Sequence, residues 1–397
     1  MRIVHVIPSY LPAVRYGGPM FSTQALCAAL VSLGHQVQVV TTSIDGDGDS
    51  DVPHDEPVLL DGVEVRYFRT RHLRRLTWSS DMALGLWRIL PGADVVHLHS
   101  VFLAPTTIAA AIARRYGIPY VMSPRGALVP EHIQAKNRAI KLAWLALLEQ
   151  RNLRGAARLH VTSEAEYADA ARVGLPIPPA AVVPNGVDVP HFGALKPPTA
   201  WLEDVTRTPY LLFVGRLNRT KGLDRLITSL EGTSFRLLLA GPDENGHHAE
   251  LQALASARGV AEQVEFLGIV SGDDKAWLMK RARVLALTSY RESFGNVVVE
   301  ALAAGTPVVV TPEVGAHDHV TRSRAGAVVD GDSAPSLRAA LDLFWRDDAR
   351  RAQAGERGRR YVTEHLSWRH AAELMLSHYR AMTDERVAEP RRAELQA

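Results

Sequence analysis

Cysteine is nearly missing from this chain: Cys27 is the single one among 397 residues. That excludes a disulfide framework within the chain and a cysteine-rich zinc site, and it fits a reducing compartment. Neither sign of charge is in excess, with 45 Lys and Arg against 43 Asp and Glu, so a general nucleic-acid binder is not expected. No apolar run reaches the length of a membrane span. The opening MRIVHVIPSYLP carries one Arg and a short apolar run closed by Pro8, and reads as a strand in place of a signal peptide. A G-x-G-x-x-G fingerprint with its downstream acid is also missing, which disfavours a nicotinamide-dependent dehydrogenase. These absences point to a cytoplasmic protein.

What is present is a rhythm. IVHVIP, VQVVTT, VEVRYF, DVVHLHS, PYVMS and ARLHVTS read as strands, and helical patterns such as MFSTQALCAALVSLG lie between several of them. The rhythm restarts at YLLFVGRL and runs through FRLLLAG, VEFLG, VLALTS, TPVVVT and GAVVD. Strands alternating with helices predict α/β domains with parallel sheets. The length suits two such domains. The Pro- and Gly-rich stretch from Val173 to Asp204 reads as their linker, and the charged end TDERVAEPRRAELQA as a frayed tail.

Two further segments qualify this picture. RTRHLRRLTW (Arg69 to Trp78) and the stretch from Lys136 to Arg158 mix basic residues with Trp and Leu. In the second, helical spacing puts Ile140, Ala143, Trp144, Leu147 and Leu148 on one face, a pattern suited either to a buried helix or to an anionic membrane surface. DGDGDSDVPHDE mimics a calcium-binding loop through Asp45, Asp47, Asp49, Asp51 and Glu56. Its sixth place is Ser50 where Gly is needed, and Pro53 interrupts it, so a mobile loop is expected.

Ligands of open parallel sheets bind where the strands end. After the first strand, Gly17 and Gly18 precede the helix opened by Pro19, which offers backbone N–H groups. In FVGRLNRTKG, Arg216 and Lys221 flank a loop leading into a helix, a combination suited to a diphosphate. In RESFGNVVVEALAAG, Glu292 lies beyond a strand, and Phe294, Gly295 and Asn296 open a helix closed by Gly305. Glu300 sits about one and a half turns into that helix, where a carboxylate can accept two hydrogen bonds from a vicinal diol such as a ribose. A partly buried Glu at such a place is costly without a partner.

VPNGVD, FVGRLNRTKG, LAGPDE, VEFLGIV and ESFGNVVVEALAAGTPVV together resemble the retaining glycosyltransferases of family 4, which have the GT-B architecture of two Rossmann-like domains facing across a cleft. The resemblance covers almost the whole chain. It implies an N-terminal acceptor-binding domain at 1–187, with a final helix at 367–390 packing back on it, and a C-terminal nucleotide-sugar-binding domain at 188–366. It implies that Arg216 and Lys221 bind the donor diphosphate and that Glu300 binds the ribose. Glu292 with the backbone of Phe294, Gly295 and Asn296 would hold sugar and phosphate, and Leu267 and Ile269 would line the base. Gly17 and Gly18 would approach the phosphates or the acceptor.

One motif departs from the family. Many relatives carry His-Gly after the strand matching IPYVM, whereas SPRGAL here puts Arg125 at the donor-contacting place, facing an acidic sugar, an acceptor phosphate or the donor diphosphate. His99, ending VHLHS, is a second candidate contact to donor or acceptor.

The implied reaction is transfer of a hexose from a nucleotide-sugar to a hydroxyl of a glycan or lipid-linked saccharide, by attack on the face from which the diphosphate leaves. Neither a cofactor nor a metal is expected. Glu292, Arg216, Lys221 and His99 are the candidate catalytic residues, and peripheral placement on the cytosolic face of a membrane is the expected location. The alternatives are a nucleotide-sugar epimerase, a soluble disaccharide or glucan synthase, and a non-catalytic nucleotide-sugar-binding protein.

Overall fold

Sixteen strands form in the computed structural model of the chain, which describes residues 1–14, 17–54, 56–130, 133, 143–193, 195–196 and 198–395, with backbone alone at 190, 191 and 386–395. The chain divides into two compact units, Met1–Gly186 with Trp368–Ala397, and Val187–Ser367. The strands Val95–His99, Tyr120–Ser123, Leu211–Val214, Leu237–Ala240, Val284–Leu287 and Val308–Val310 are buried along their whole length, as central strands covered on both faces require.

The first unit has an eight-stranded sheet of β1 (Arg2–Ser9), β2 (Gln36–Thr42), β5 (Val58–Leu60), β6 (Val63–Phe68), β7 (Val95–His99), β8 (Tyr120–Ser123), β9 (Arg158–Val161) and β10 (Ala180–Val182). Their order is β10-β9-β8-β7-β1-β2-β6-β5, parallel except for the β5–β6 pair. In the second unit, β11 (Leu211–Val214), β12 (Leu237–Ala240), β13 (Val264–Gly268), β14 (Val284–Leu287), β15 (Val308–Val310) and β16 (Gly326–Val328) run in the order β13-β12-β11-β14-β15-β16, all parallel. Both are doubly wound sheets in which the strand order reverses once, between β1 and β7 and between β11 and β14. That reversal opens a crevice beyond the strand ends, the natural ligand position of such sheets.

Alternation along β1 sends Val4 and Val6 to a core shared with Leu86, Leu98 and Ile112, and Ile3 and Ile7 to the opposite face. There the helices Gly18–Ser32 and Trp368–Leu395 cover the sheet, the latter through Ala371, Ala372, Met375, Leu376 and Tyr379 at helical spacing. In the second unit β11 and β12 converge so closely that a Cβ on Gly241 would stand 1.9 Å from the carbonyl oxygen of Gly215. Only glycine fits there.

Several expectations need correction. The supposed linker supplies β10, an edge strand of the first sheet, and the helix Ala200–Val205. The supposed frayed tail continues the last helix to Leu395. The acidic loop is a hairpin, β3 (Ile44–Asp45) with β4 (Gly48–Asp49), whose Asp49 accepts from Ser43 and pairs with Arg74. In the basic helix the described part contains a π turn, Leu145–Glu149, which shifts the buried stripe. Leu145, Glu149 and Leu153 face inward, and Leu147 is 75% exposed. Buried Glu149 accepts from the Trp144 indole at 3.1 Å and the Phe102 N–H at 3.3 Å. Ile140 lies outside the described residues.

Candidate active site

In the second unit the loops after β11 and β14 meet at the reversal point. Asn218 accepts from the N–H and hydroxyl of Thr220 at 3.1 and 2.7 Å, shaping a tight turn over Arg219–Lys221. Tyr290 donates its N–H to the Thr220 carbonyl at 2.9 Å. The Thr288 hydroxyl donates to the Gly222 carbonyl at 2.7 Å. Gly222 has φ +61, and a Cβ there would stand 2.0 Å from the Thr288 carbonyl oxygen, so the two loops approach as closely as backbone allows. This clamp brings the Lys221 ammonium onto the Glu292 carboxylate as a partly buried ion pair.

Glu292 is held by its own main chain, donating to the Glu313 carbonyl at 3.0 Å and accepting from the Gly315 N–H at 2.8 Å. Gly295, at φ +91, caps the helix Asn296–Ala304, with Phe294 buried before it and Gly305 ending it. One turn inside, both oxygens of Glu300 accept from the Lys275 ammonium, at 3.0 and 2.9 Å. Lys275 comes from the neighbouring helix Gly272–Arg281, and the sequence reading missed it. Arg216 is mostly exposed and pairs with Glu244 at 3.1 Å. Leu267 ends β13 partly buried, and Ile269 just beyond is 76% exposed, an apolar side chain at the strand-end rim. Glu265 instead pairs with Arg236 at 2.5 Å, which removes it from the rim.

The first unit's strand ends are built differently. Gly17, at φ +78, precedes the helix that begins at Gly18, and open space surrounds the position of its missing Cβ. Beside this helix end a cavity of about 590 Å³ is lined by Ser9, Met20, Arg74, Arg75, Thr77 and Ser100, among others. The same sheet carries four buried histidines on three strands: His5 on β1, His97 and His99 on the neighbouring β7, and His160 on β9 beyond β8.

Their hydrogen bonds fix their tautomers. Arg125 donates to His99 Nδ1 at 3.3 Å, so His99 Nε2 carries its proton and donates to His5 Nδ1 at 2.9 Å. The Val183 carbonyl can only accept, so His160 Nε2 donates to it at 3.2 Å, His97 Nε2 donates to His160 Nδ1 at 3.2 Å, and the Tyr379 hydroxyl donates to His97 Nδ1 at 2.6 Å. Burial, with the Arg125 charge added, pushes His5 down to about 3. Burial first, then neighbouring cations and histidines, holds His97, His99 and His160 well below the ordinary imidazole value. The cluster is neutral at physiological pH.

Nitrogens of His5, His97 and His99 lie within 4.8 Å of one another, as a metal site would need. In these tautomers, however, each ring's lone pair already accepts a hydrogen bond from Arg125, His99 or Tyr379. The geometry is that of a hydrogen-bonded cluster. His99 itself has 0% exposure, and both its nitrogens are engaged, by Arg125 and His5.

The profile of the "Glycosyl transferase 4-like domain" matches residues 17–186, and that of "Glycosyl transferases group 1" matches residues 202–361. D-inositol 3-phosphate glycosyltransferase of Mycolicibacterium smegmatis is 31% identical over 76% of this chain and 70% of its own. The chain belongs to glycosyltransferase family 4. A protein of the same name from Arthrobacter sp. is 27% identical to this glycosyltransferase over 94% of this chain and 91% of its own. The fold is GT-B, as in Anabaena Alr3699/HepE, solved in complex with UDP and glucose, which superimposes with a TM-score of 0.72 at 18% identity over 96% of this chain and 100% of that one.

Among the residues singled out from sequence, the fold of this glycosyltransferase joins Lys221 to Glu292 and places Phe294, Gly295, Asn296 and Glu300 on one helix start. Gly17, Gly18, His99 and Arg125 belong to the first unit. His5 and His160 went unnoticed, although each stands between two apolar residues of its strand, as His97 does. His5 pairs in register with His97, and that pairing was the available signal.

Proposed function

We propose that this glycosyltransferase moves a hexose from a nucleoside diphosphate sugar to a hydroxyl of a glycan or lipid-linked saccharide, with retention of configuration. The observation that carries the reading is the Lys221–Glu292 pair at the strand reversal, with Glu300 on the adjoining helix. The donor is held by the second unit. Lys221, Arg216 and the start of helix Asn296–Ala304 stabilise the diphosphate as it leaves, without a metal. The Glu300 carboxylate exchanges Lys275 for the ribose hydroxyls or shares itself between them. Glu292 fixes the sugar, while Ile269 and Leu267 lie against the base. The complex of HepE with UDP and glucose supports a donor of this class.

The acceptor is held by the first unit, in the cavity beside the helix that starts at Gly18. A membrane-bound acceptor is supported by exposed Leu84, Trp87 and Tyr116 close in sequence to Arg88, Arg114 and Arg115. A soluble phosphorylated acceptor is the second reading, favoured by Arg74 and Arg75 in the cavity wall and by the D-inositol 3-phosphate of the relatives' name.

Thermal shift with UDP, GDP, ADP and NAD, without added metal, tests the donor half. One nucleoside diphosphate at a hundred times its Kd stabilises by about 2.7 kcal/mol, a rise of a few degrees, and NAD does nothing. Stabilisation by NAD alone, or by none of the four, counts against the reading.

A further inference from the structure

Among the described residues of the first unit's rim, Arg125 is the one whose charge and backbone both call for an explanation. It follows β8 with φ +53, a left-handed conformation that costs a non-glycine residue on the order of 1–3 kcal/mol and is retained where function requires it. The neighbouring loop after β7 shares the trait, with Ser100 at φ 76 and Phe102 at φ 65, and the two loops are tied by the Ser100 N–H on the Ser123 carbonyl at 2.9 Å.

Arg125 is half-buried with its Nε shielded from solvent, and its two polar contacts are neutral: His99 Nδ1 at 3.3 Å and Asn185 Oδ1 at 3.5 Å. Its Nε has no partner. The acid that acts on it electrostatically, Glu166, makes its hydrogen bonds elsewhere. One Glu166 oxygen accepts from the Gly126 N–H at 2.7 Å, and the other from the N–H and hydroxyl of Thr162, both at 2.7 Å. Among the described residues Arg125 therefore makes no ion pair. A half-buried cation is expected to be paired and hydrogen-bonded, and a guanidinium offers five donors in a fork matched to carboxylate or phosphate.

The histidines behind it explain how the cation is kept in this state. The chain Arg125 to His99 to His5 turns a lone pair toward the guanidinium and orients it without neutralising it. A carboxylate at the His99 position would pair with Arg125 and cancel the charge.

We infer that Arg125 is the receptor for an anionic group, phosphate or carboxylate, on the substrate held by the first unit, with His99 and His5 as positioning residues. The inference rests on the nucleotide-sugar reading above and deepens it. This glycosyltransferase takes a charged substrate, and Arg125 tells it from its neutral counterpart.

The test compares pairs that differ only in the anion. With the donor admitted by the nucleotide panel, the full chain is assayed on a sugar phosphate against its parent sugar, and on a polyprenyl-diphosphate saccharide in micelles against its dephosphorylated form. The expected result is a preference of about tenfold or more in kcat/KM for the charged member of one pair, and the pair that shows it identifies the source of the anion. Arg125→Gln removes the preference by weakening the charged member alone, and leaves the nucleoside diphosphate thermal shift intact. His5→Gln raises KM for the charged member with kcat retained. Arg125→Lys, which keeps the charge and loses the fork, gives an intermediate preference and serves if the Gln variant does not fold. Equal or better use of the neutral members, or a preference unchanged in the Arg125 variants, overturns the inference. Loss of the nucleotide shift in the wild-type chain would instead remove the reading of the second unit.

Discussion

The two sheets share a strand order, yet their rims treat charge in opposite ways. At the second unit's rim cations come with carboxylates: Lys221 with Glu292, Lys275 with Glu300, Arg216 with Glu244, Arg219 with Glu250, and Arg225 with Asp332. At the first unit's rim Arg74 pairs with Asp49, but the Arg125 guanidinium rests on neutral imidazole and amide, and Arg75 makes no hydrogen bond or ion pair among the described residues. A ligand reaching the second rim must exchange partners with groups already satisfied, which keeps the gain in affinity small and the geometry strict. A ligand reaching the first rim supplies a missing partner, so its charge matters more than its shape.

The largest expected difference between the units appears in acid. His5, His97, His99 and His160 are neutral when folded and ordinary when unfolded, so below the usual imidazole value of 6.5 the unfolded chain binds protons that the native cluster refuses. Stability present above that pH is lost as pH falls, by up to about 1.4 kcal/mol per histidine per pH unit, continuing for His5 to about pH 3. In the second unit one histidine, His319, shows a comparable depression, to about 4. Hydrogen exchange at about pH 5 should show β1, β7 and β9 losing protection before β11 and β14, and His160→Gln should narrow the gap. Simultaneous loss in both sheets would break the comparison.

Next in size is Lys221→Ala. If the lysine stabilises the departing diphosphate, turnover falls about 100-fold or more, while the melting temperature moves little because the pair is partly solvated. Retained turnover would make the Lys221–Glu292 pair a structural clasp only. Smallest is Arg219→Ala. Its pair with Glu250 is solvent-exposed, so unchanged melting and unchanged turnover are expected, and a clear loss in a kinetic assay would add Arg219 to the donor site.

The strands could be read from sequence because doubly buried parallel strands demand unbroken runs such as VLAL and LLFV. The helix at Asn296–Ala304 was legible because a glycine bounds each end, and the spacing of Glu292 and Glu300 follows from that helix. Lys275 was not legible, since in GDDKAWLMKR it looks like any solvated helix lysine, and only the packing of two helices brings it to Glu300. The histidine cluster was equally hidden. Its members are contributed by three strands, and each alone reads as a tolerated strand residue. The π turn defeated the amphipathic reading because a five-residue turn rotates every later side chain away from its 3.6-residue position.

The path of the chain has a further consequence. It enters the second unit at Val187, which donates its N–H to the Leu366 carbonyl at 2.8 Å and bridges Ser367, so entry and exit lie side by side. The first unit is thus encoded in two pieces, and the second piece carries Tyr379, whose hydroxyl completes the histidine cluster. During synthesis the sheet from β1 to β10 emerges with one face lacking its last helix, and it waits for the whole of the second unit to be translated before that face is covered. The amino-terminal part of this enzyme is therefore the last to become complete, and a nascent chain cut short before residue 368 would leave His97 and the sheet face around it without Tyr379.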